Sequence, residues 1–381
     1  MSTLESNHGT VLIAGAGIGG LSLGCALQHA GIAFEIFERA PSLGTVGAGI
    51  VIQTAAMLAL RHLGLDEAVA RAGHETKRGT GKNAAGVVLH STRLDEFGAP
   101  SIAIHRARLQ ATLLGALPSA RVHAGREVVG YEQDEHGVQA LFSDGSRASG
   151  QLLIGADGLH SATRRQLLGD TPLRYSGYTS WRGVAPMAPS TPAHEVFEIW
   201  GRGLRFGIVP IADAETYWFA VANAAEGGTE ADRAMLVQRF ASFGEPARAL
   251  LEATPPERIV RTDIKDRKPV SSWTQGRVSL LGDAAHPTTP NLGQGGCMAI
   301  EDAVVLAHCL GKHTAYADAF AAYERKRVEH TTKIVNASFQ FGRIAQLEGG
   351  FTTWLRDLAL RATPDAQIRA RLRDNAQFSL D

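Results

Sequence analysis

An α/β fold, in which a parallel-sheet nucleotide domain is interrupted by a mainly antiparallel β-sheet and followed by C-terminal helices, is predicted by three features of this 381-residue chain. The first forty residues read strand, glycine turn, helix, strand. Residues 175–222 alternate in period two and are rich in aromatics: Tyr178, Trp181, Phe197, Trp200, Tyr217, Trp218, Phe219. Beyond Gly293 the pattern changes to long helices.

Each element has its own justification. Thr10-Val11-Leu12-Ile13-Ala14 is a short apolar run suited to a strand buried on both faces. Leu21, Leu23, Cys25, Ala26 and Leu27 then fit a helix packed on a sheet, with Gly31 as its C-cap. Phe34-Glu35-Ile36-Phe37-Glu38 is the returning strand, and a βαβ unit of this length demands parallel strands and a right-handed crossover. Residues 58–65 and 108–117 read as helices, and 137–153 as strands around the Ser143-Asp144-Gly145 turn. Residues 230–253 return to helix and 277–281 form one more buried strand. With no repeat and no structureless linker, the chain divides into a nucleotide domain (1–75, 100–174 and 268–345), an inserted substrate domain (76–99 and 175–267) and a C-terminal helical segment (346–381).

Composition excludes several classes of function. Lys+Arg and Asp+Glu number 38 each, which argues against a broad grip on nucleic acid or anionic membrane. Cys25, Cys297 and Cys309 are dispersed with no CxxC pair, which excludes a disulfide scaffold and points to a reducing compartment. The 14 histidines show no HxH or HExxH spacing, so no metal site is expected. Residues 11–30 lack Asp, Glu, Lys and Arg, but their five glycines and the absence of a preceding basic residue argue against a membrane span or signal peptide. A cytoplasmic protein, monomer or homodimer, without stable membrane insertion, is expected.

Gly15-x-Gly17-x-x-Gly20 follows the first strand and opens the helix, and Glu38 closes the next strand 23 residues after Gly15. The first glycine permits a tight turn, the second lets pyrophosphate approach the backbone, and the third allows close helix–strand packing. The helix N-terminus then attracts phosphate, and Glu38 can accept hydrogen bonds from a ribose diol. The pattern predicts a bound dinucleotide without separating NAD from FAD.

Two later stretches bear on that choice: Gly155-Ala156-Asp157-Gly158, leading to Arg164, and Gly282-Asp283-Ala284-Ala285-His286-Pro287, continuing Pro290-Asn291-Leu292-Gly293-Gln294-Gly295-Gly296. With the glycine fingerprint, the 44–50 run GTVGAGI and His105-Arg106 ahead of a helix, they resemble the single-component flavoprotein aromatic hydroxylases, the family with the p-hydroxybenzoate hydroxylase fold. The resemblance spans residues 10–345. It implies a Rossmann-like FAD-binding domain, FAD as cofactor, and NADH or NADPH as a transient donor. It also implies reaction with O2 through a flavin C4a-hydroperoxide that hydroxylates a small aromatic or N-heteroaromatic substrate.

The resemblance assigns residues as well. Asp283 would bond the ribityl chain, although an Asp there could also cap the next helix. Residues 293–296 would start a helix whose N–H groups face the flavin O2 and N1 edge, where a positive helix end stabilises the reduced, anionic ring. Asp157 and Gly158 belong to the pyrophosphate region, and Arg106 would contact the FAD phosphates. Ile18, Gly19, Arg39, Gly49, Val128, Gly282 and Gln294 complete the implied cofactor set. Pro287 and Pro290 would shape the wall beside the flavin; His286 reads as a structural hydrogen-bonding residue, and Arg164 as a local brace or a surface arginine.

Substrate groups are expected from the insertion. Arg205 and Tyr217, on adjacent strands, are similar in position to residues of the FAD-dependent urate hydroxylases that bind or activate substrate. The alternatives are an exposed strand charge for Arg205 and core packing for Tyr217. That subgroup has an aspartate where this chain has Asn291, and an asparagine can orient a substrate but cannot serve as a base. Arg205, Tyr217, Pro290 and Asn291 form the candidate catalytic set. The run Glu324-Arg325-Lys326-Arg327 reads as a solvated helix face. The segment from Phe351 reads as an amphipathic helix covering the core, with a dimer contact or weak membrane association left open. Alternative functions are oxidation of a larger natural product and a non-catalytic flavin redox sensor. A flavin halogenase needs a WxWxIP element that Trp181 to Pro186 does not supply.

Overall fold

The structure is a computed structural model that describes residues 9–44, 47–188, 191–229 and 231–380. Thr45 and Val46 of the GTVGAGI run, and residues 1–8, 189–190, 230 and 381 of the ranges above, lie outside the described residues.

A six-stranded sheet forms the nucleotide domain, in the order Thr274–Gln275, Val278–Leu280, Leu152–Gly155, Val11–Ala14, Phe34–Glu38, Val122–Ala124. All neighbours are parallel except the short edge strand Thr274–Gln275. The central strand is uniformly apolar because both of its faces are covered. Val11 and Ile13 pack with Leu21 and Leu27 of helix Ile18–His29, whereas Leu12 and Ala14 pack with Phe37, Tyr131 and Phe142. The uncharged run 11–30 is therefore a strand, a turn and a helix, and among the described residues no helix is long and apolar enough to cross a membrane.

The second sheet has seven strands, in the order Val260–Asp266, Arg174–Ala185, Glu215–Asn223, Leu204–Ala212, Glu195–Trp200, Arg78–Asn83, Val88–Arg93. It is antiparallel except between Glu195–Trp200 and Arg78–Asn83. One face carries Trp181, Phe206 and Trp218, packed against Leu236, Phe240 and Leu250 of the intervening helical stretch. The opposite face of the central hairpin presents Arg205, Gly207 and Val209 beside Tyr217, Phe219 and Val221, since alternate residues share a face. The small sheet Gly49–Ile52, Ser101–His105, His74–Thr76 abuts that face through Ala103 and Tyr217.

Two helices join the layers. Gly295–Lys312 is buried along most of its length against Ile18–His29, and Tyr316–Ala345 runs across it. The expected solvated face at 324–327 needs correction here. Arg325 and Lys326 are exposed, but Glu324 accepts from the Trp273 N–H (2.7 Å), and Arg327 points inward with Phe320, Tyr323 and Thr331. Helical spacing puts residue 327 on the buried stripe, and Glu301 and Asp302 on the facing helix supply its counter-charges. The helix Gly350–Ala362 also departs from expectation: Phe351, Trp354, Leu355 and Leu358 face solvent rather than the core, while Leu360 packs inward near Trp200 and Ala345.

Candidate active site

The nucleotide cleft is shaped first by glycines. Gly15 has φ +100°, and a Cβ there would lie 2.5 Å from the Ala156 carbonyl oxygen. A Cβ on Gly20 would fall on the Gly15 carbonyl, whereas one on Gly17 would meet no atom within 4 Å. The turn is thus closed on the protein side and open where pyrophosphate would approach. Gly17 is also the N-cap of the helix starting at Ile18 and Gly19, whose first N–H groups have no intrahelical acceptors.

Glu38 ties this turn to the neighbouring strand: its carboxylate accepts the N–H groups of Ala16 (2.8 Å) and Ala40 (2.9 Å). Each oxygen keeps a second lone pair for a ribose hydroxyl. Gln110 donates to the Ala16 carbonyl (2.9 Å), so helix Arg106–Gly115 faces the same turn. Arg106, on its first turn, is exposed; its backbone N–H donates to the Ala48 carbonyl (2.9 Å), but its guanidinium has no hydrogen-bond or ion-pair partner among the described residues, as a phosphate-binding cation would require. Arg39 is exposed beside Glu38. Val128, by contrast, has its side chain buried in the cluster with Leu12 and Phe37, so only its backbone could face a cofactor.

Asp283 follows the buried strand Val278–Leu280, at φ +61° for Gly282. Solvent reaches its carboxyl although protein surrounds it, as expected of a group at the bottom of a cleft. The surrounding protein pushes that carboxyl above its usual range, opposed by His286 and Arg106. Its Oδ1 lies 3.8 Å from where a Gly295 Cβ would stand, so Asp283 adjoins the N-terminus of Gly295–Lys312. A Cβ on Gly296 would stand 2.6 Å from Ile50 Cδ1, and Gly293 adopts φ +65°. Gln294 is buried and donates to Gln53 (2.6 Å), which in turn donates to the Leu292 carbonyl (2.8 Å). This loop is therefore held from below and leaves its helix end toward the cleft.

Asp157 turns inward. It accepts from Ser161 Oγ (2.5 Å) and Thr163 Oγ1 (3.1 Å), bracing the helix Ala162–Leu168, while Gly158 stands open at φ +78°. Arg164 is a buried brace and not a surface residue: Nη1 donates to the carbonyls of Ala284 (2.8 Å) and Ala285 (2.7 Å), pinning the turn that carries Asp283. Burial lowers its guanidinium pKa to about 10. His286 has the structural bond expected of it, with Nε2 2.5 Å from Asp302 Oδ2.

On the sheet face beside the 290–296 loop, Arg205, a candidate substrate residue, is buried rather than an exposed strand charge. Nη2 donates to Asn291 Oδ1 (2.7 Å), Nε to Gln346 Oε1 (2.9 Å) and Nη1 to Glu198 Oε1 (3.1 Å). The Asn291 amide nitrogen faces Tyr178 Oη (2.7 Å), Thr289 Oγ1 (2.9 Å) and the Ser338 carbonyl (3.0 Å). Asn291 thus joins the sheet face to the loop begun by exposed Pro290 and to the long helix. Tyr217 lies on the same sheet face as Arg205 but four residues along, opposite Val209. Its ring packs where a Cβ on Gly49 would stand, and burial pushes its phenol pKa up. Phe219 fills the space over Gly207 between the two. Gln53, Gln110, Tyr178, Phe219 and Gln346 are parts of the site that sequence reasoning missed, and none lies in a local motif. Val51, Phe97, Val196, Leu292 and Leu372 help line a cavity of about 270 Å³ that reaches Gly293 and Gln294.

An open glycine turn, an unpaired arginine, an aspartate at a strand end and a free helix N-terminus around one cleft fit FAD. The comparisons agree. A family model described as "FAD binding domain" matches residues 8–338. The chain is 49% identical over 376 residues to the aurachin C monooxygenase/isomerase of Stigmatella aurantiaca, covering 97% of this chain and 98% of that protein. It is 35% identical over 335 residues to a FAD-dependent urate hydroxylase of Klebsiella pneumoniae, covering 85% and 87%. The solved structure of Klebsiella pneumoniae HpxO with FAD and uric acid superposes with a TM-score of 0.91 at 31% identity, covering 99% of this chain and 98% of that one. The chain belongs to the FAD-dependent monooxygenases of the aromatic-hydroxylase family.

Proposed function

We propose that this protein hydroxylates a small aromatic or N-heteroaromatic substrate, with NADH or NADPH as donor and O2 as oxidant. The observation that carries this reading is the buried Arg205, whose donors reach Glu198, Gln346 and Asn291 on the sheet face joined to the 290–296 loop. Bound FAD would supply the redox chemistry: electrons taken from the nicotinamide and O2 made reactive toward an electron-rich ring. Gly15 to Gly20, Glu38 and Arg106 would hold its phosphates and ribose. Asp283 and the helix end at Gly295 and Gly296 would hold its ribityl chain and pyrimidine edge.

This chain's own residues then position the substrate. Arg205 presents a fixed cation edge to an anionic or carbonyl-bearing ring, with Asn291 orienting it. Asn291 cannot take up a proton, so the substrate should bring its own electron-rich position, such as a ring hydroxyl. Tyr217 and Phe219 form a dry wall. A bulkier natural product is the second reading, favoured by the 49% identity to the aurachin C enzyme and by the cavity that continues from Gly293 to Leu372.

The test is a screen with the purified yellow protein. Urate, hydroxybenzoates and bicyclic N-heteroaromatics with and without an alkyl tail are compared for stimulated NAD(P)H oxidation and for a product carrying one more oxygen atom. Arg205→Gln and Tyr217→Ala, which opens the dry wall, are expected to raise KM or uncouple oxidation from product while retaining FAD. Two variants that behave like the parent would remove the pocket assignment. Stimulation only by tailed or larger compounds would select the second reading.

A further inference from the structure

The helix Gly350–Ala362 has its amphipathicity inverted. Its buried positions are Thr353 and Arg356, and Arg356 donates to the carbonyls of Gly201 and Ala345 (both 3.1 Å) and pairs with Asp357 (2.8 Å). The opposite face shows Phe351, Trp354, Leu355 and Leu358, which are 73%, 59%, 49% and 46% exposed. Spacings of three, four and seven place them in one stripe, and the rings of Phe351 and Trp354 stack with centroids 5.9 Å apart. Exposed Ile344, at the end of the preceding helix, adds a fifth large apolar side chain. A stripe of this kind marks an interaction surface, because single exposed leucines are common but contiguous ones are not.

Charge at the rim identifies the occupant. Of the neighbouring acids, Asp357 pairs with Arg356, while exposed Glu348 accepts only from the neutral Asn223 amide and is one acid against the three arginines around it. Arg343 and Arg361 are exposed and have no ion-pair partner among the described residues. The Arg202 guanidinium carbon lies 3.8 Å from where a Gly350 Cβ would stand, and its Nε donates only to the Glu348 carbonyl. An aromatic and leucine stripe edged by free arginines is the chemistry of a helix lying in the interface of an anionic bilayer. A second copy is less suited: the stripe exposes on the order of 500 Å², against about 800 Å² that each partner buries in a stable dimer.

We propose that Gly350–Ala362 is a peripheral docking face for an anionic lipid surface, with Phe351, Trp354, Leu355 and Leu358 entering the headgroup–acyl boundary. The full-length, FAD-loaded protein is mixed with vesicles of phosphatidylcholine alone or with phosphatidylglycerol, then separated by flotation. Binding is expected to the anionic vesicles, weaker at high salt. A Leu355→Glu/Leu358→Glu variant, with its yellow colour and circular dichroism retained, should lose it by about tenfold or more. Trp354 gives an independent readout, since Trp181, Trp200, Trp218 and Trp273 are buried. Brominated lipid should quench the parent and not Trp354→Phe, which should still float. Absence of binding to anionic vesicles, or binding unaffected by the double variant, would overturn the proposal. So would a parent dimer that the double variant converts to monomer without any vesicle binding, because a second copy would then cover the face.

Discussion

Replacing Arg327 with methionine tests whether the buried charge cluster holds the flavin-side turn. The Arg327 guanidinium sets Nε 2.6 Å from Asp302 Oδ1 and Nη2 3.0 Å from Glu301 Oε2, with all three side chains at most 6% exposed. Asp302 Oδ2 also accepts the Gly282 N–H (3.2 Å) and meets His286, so the cluster grips the backbone just before Asp283. Against the upward push of burial, His286 and Arg327 draw the Asp302 carboxyl down to about 2. Relative to its ordinary 3.8, that is worth on the order of 2 kcal/mol. Burial already pushes Glu301 up, with Arg327 opposing, so the variant strands a second acid. Removing one partner of a buried pair costs about 3–5 kcal/mol, a large part of the roughly 5–15 kcal/mol that keeps a domain folded. Urea unfolding followed by circular dichroism and flavin fluorescence should show a midpoint about 1 M lower or more, with FAD released earlier. A depressed carboxyl stabilises the fold above its unfolded pKa and loses that contribution as pH falls toward its folded value. The gap between parent and variant should therefore be full near neutrality and shrink below about pH 4. A loss under about 1 kcal/mol, or a gap indifferent to acid, would refute this account.

Two further outcomes check the cofactor cradle and the thiols. Gly17→Ala should leave apoprotein stability within about 0.5 kcal/mol yet weaken FAD binding, because its Cβ meets only the open cleft; Gly20→Ala should harm both, and equal FAD affinity for Gly17→Ala and parent would disprove the pyrophosphate approach. Burial pushes the Cys25 and Cys297 thiols to about 12, so a thiol reagent at mildly alkaline pH should label them only after unfolding, and rapid labelling of either in the native protein would contradict the packing.

The parts of the site legible in sequence are those whose chemistry is local. Glycines at 15, 17 and 20 between a strand and a helix already specify a turn, and Asp283 at a strand end marks a candidate ligand position. Arg205 is different: its contacts with Asn291 and Gln346 span 86 and 141 residues, and no local pattern links them. Arg327 misled for the same reason, since a charge beside three others looks solvated until the acids of another helix are placed against it. Helix Gly350–Ala362 misled in the other sense: its apolar stripe was readable, but not the direction in which it would turn.

The order of strands and helices and the nucleotide turn follow from the amino-acid sequence, because hydrophobic period and turn chemistry act over a few residues; FAD rather than NAD came only with the family resemblance. Tertiary structure decided which polar groups are buried together: Arg205 with Asn291, Arg327 with Asp302, Arg164 with the Asp283 turn. A buried charge is tolerable only where partners from distant segments converge on it, and that convergence belongs to the packed chain as a whole.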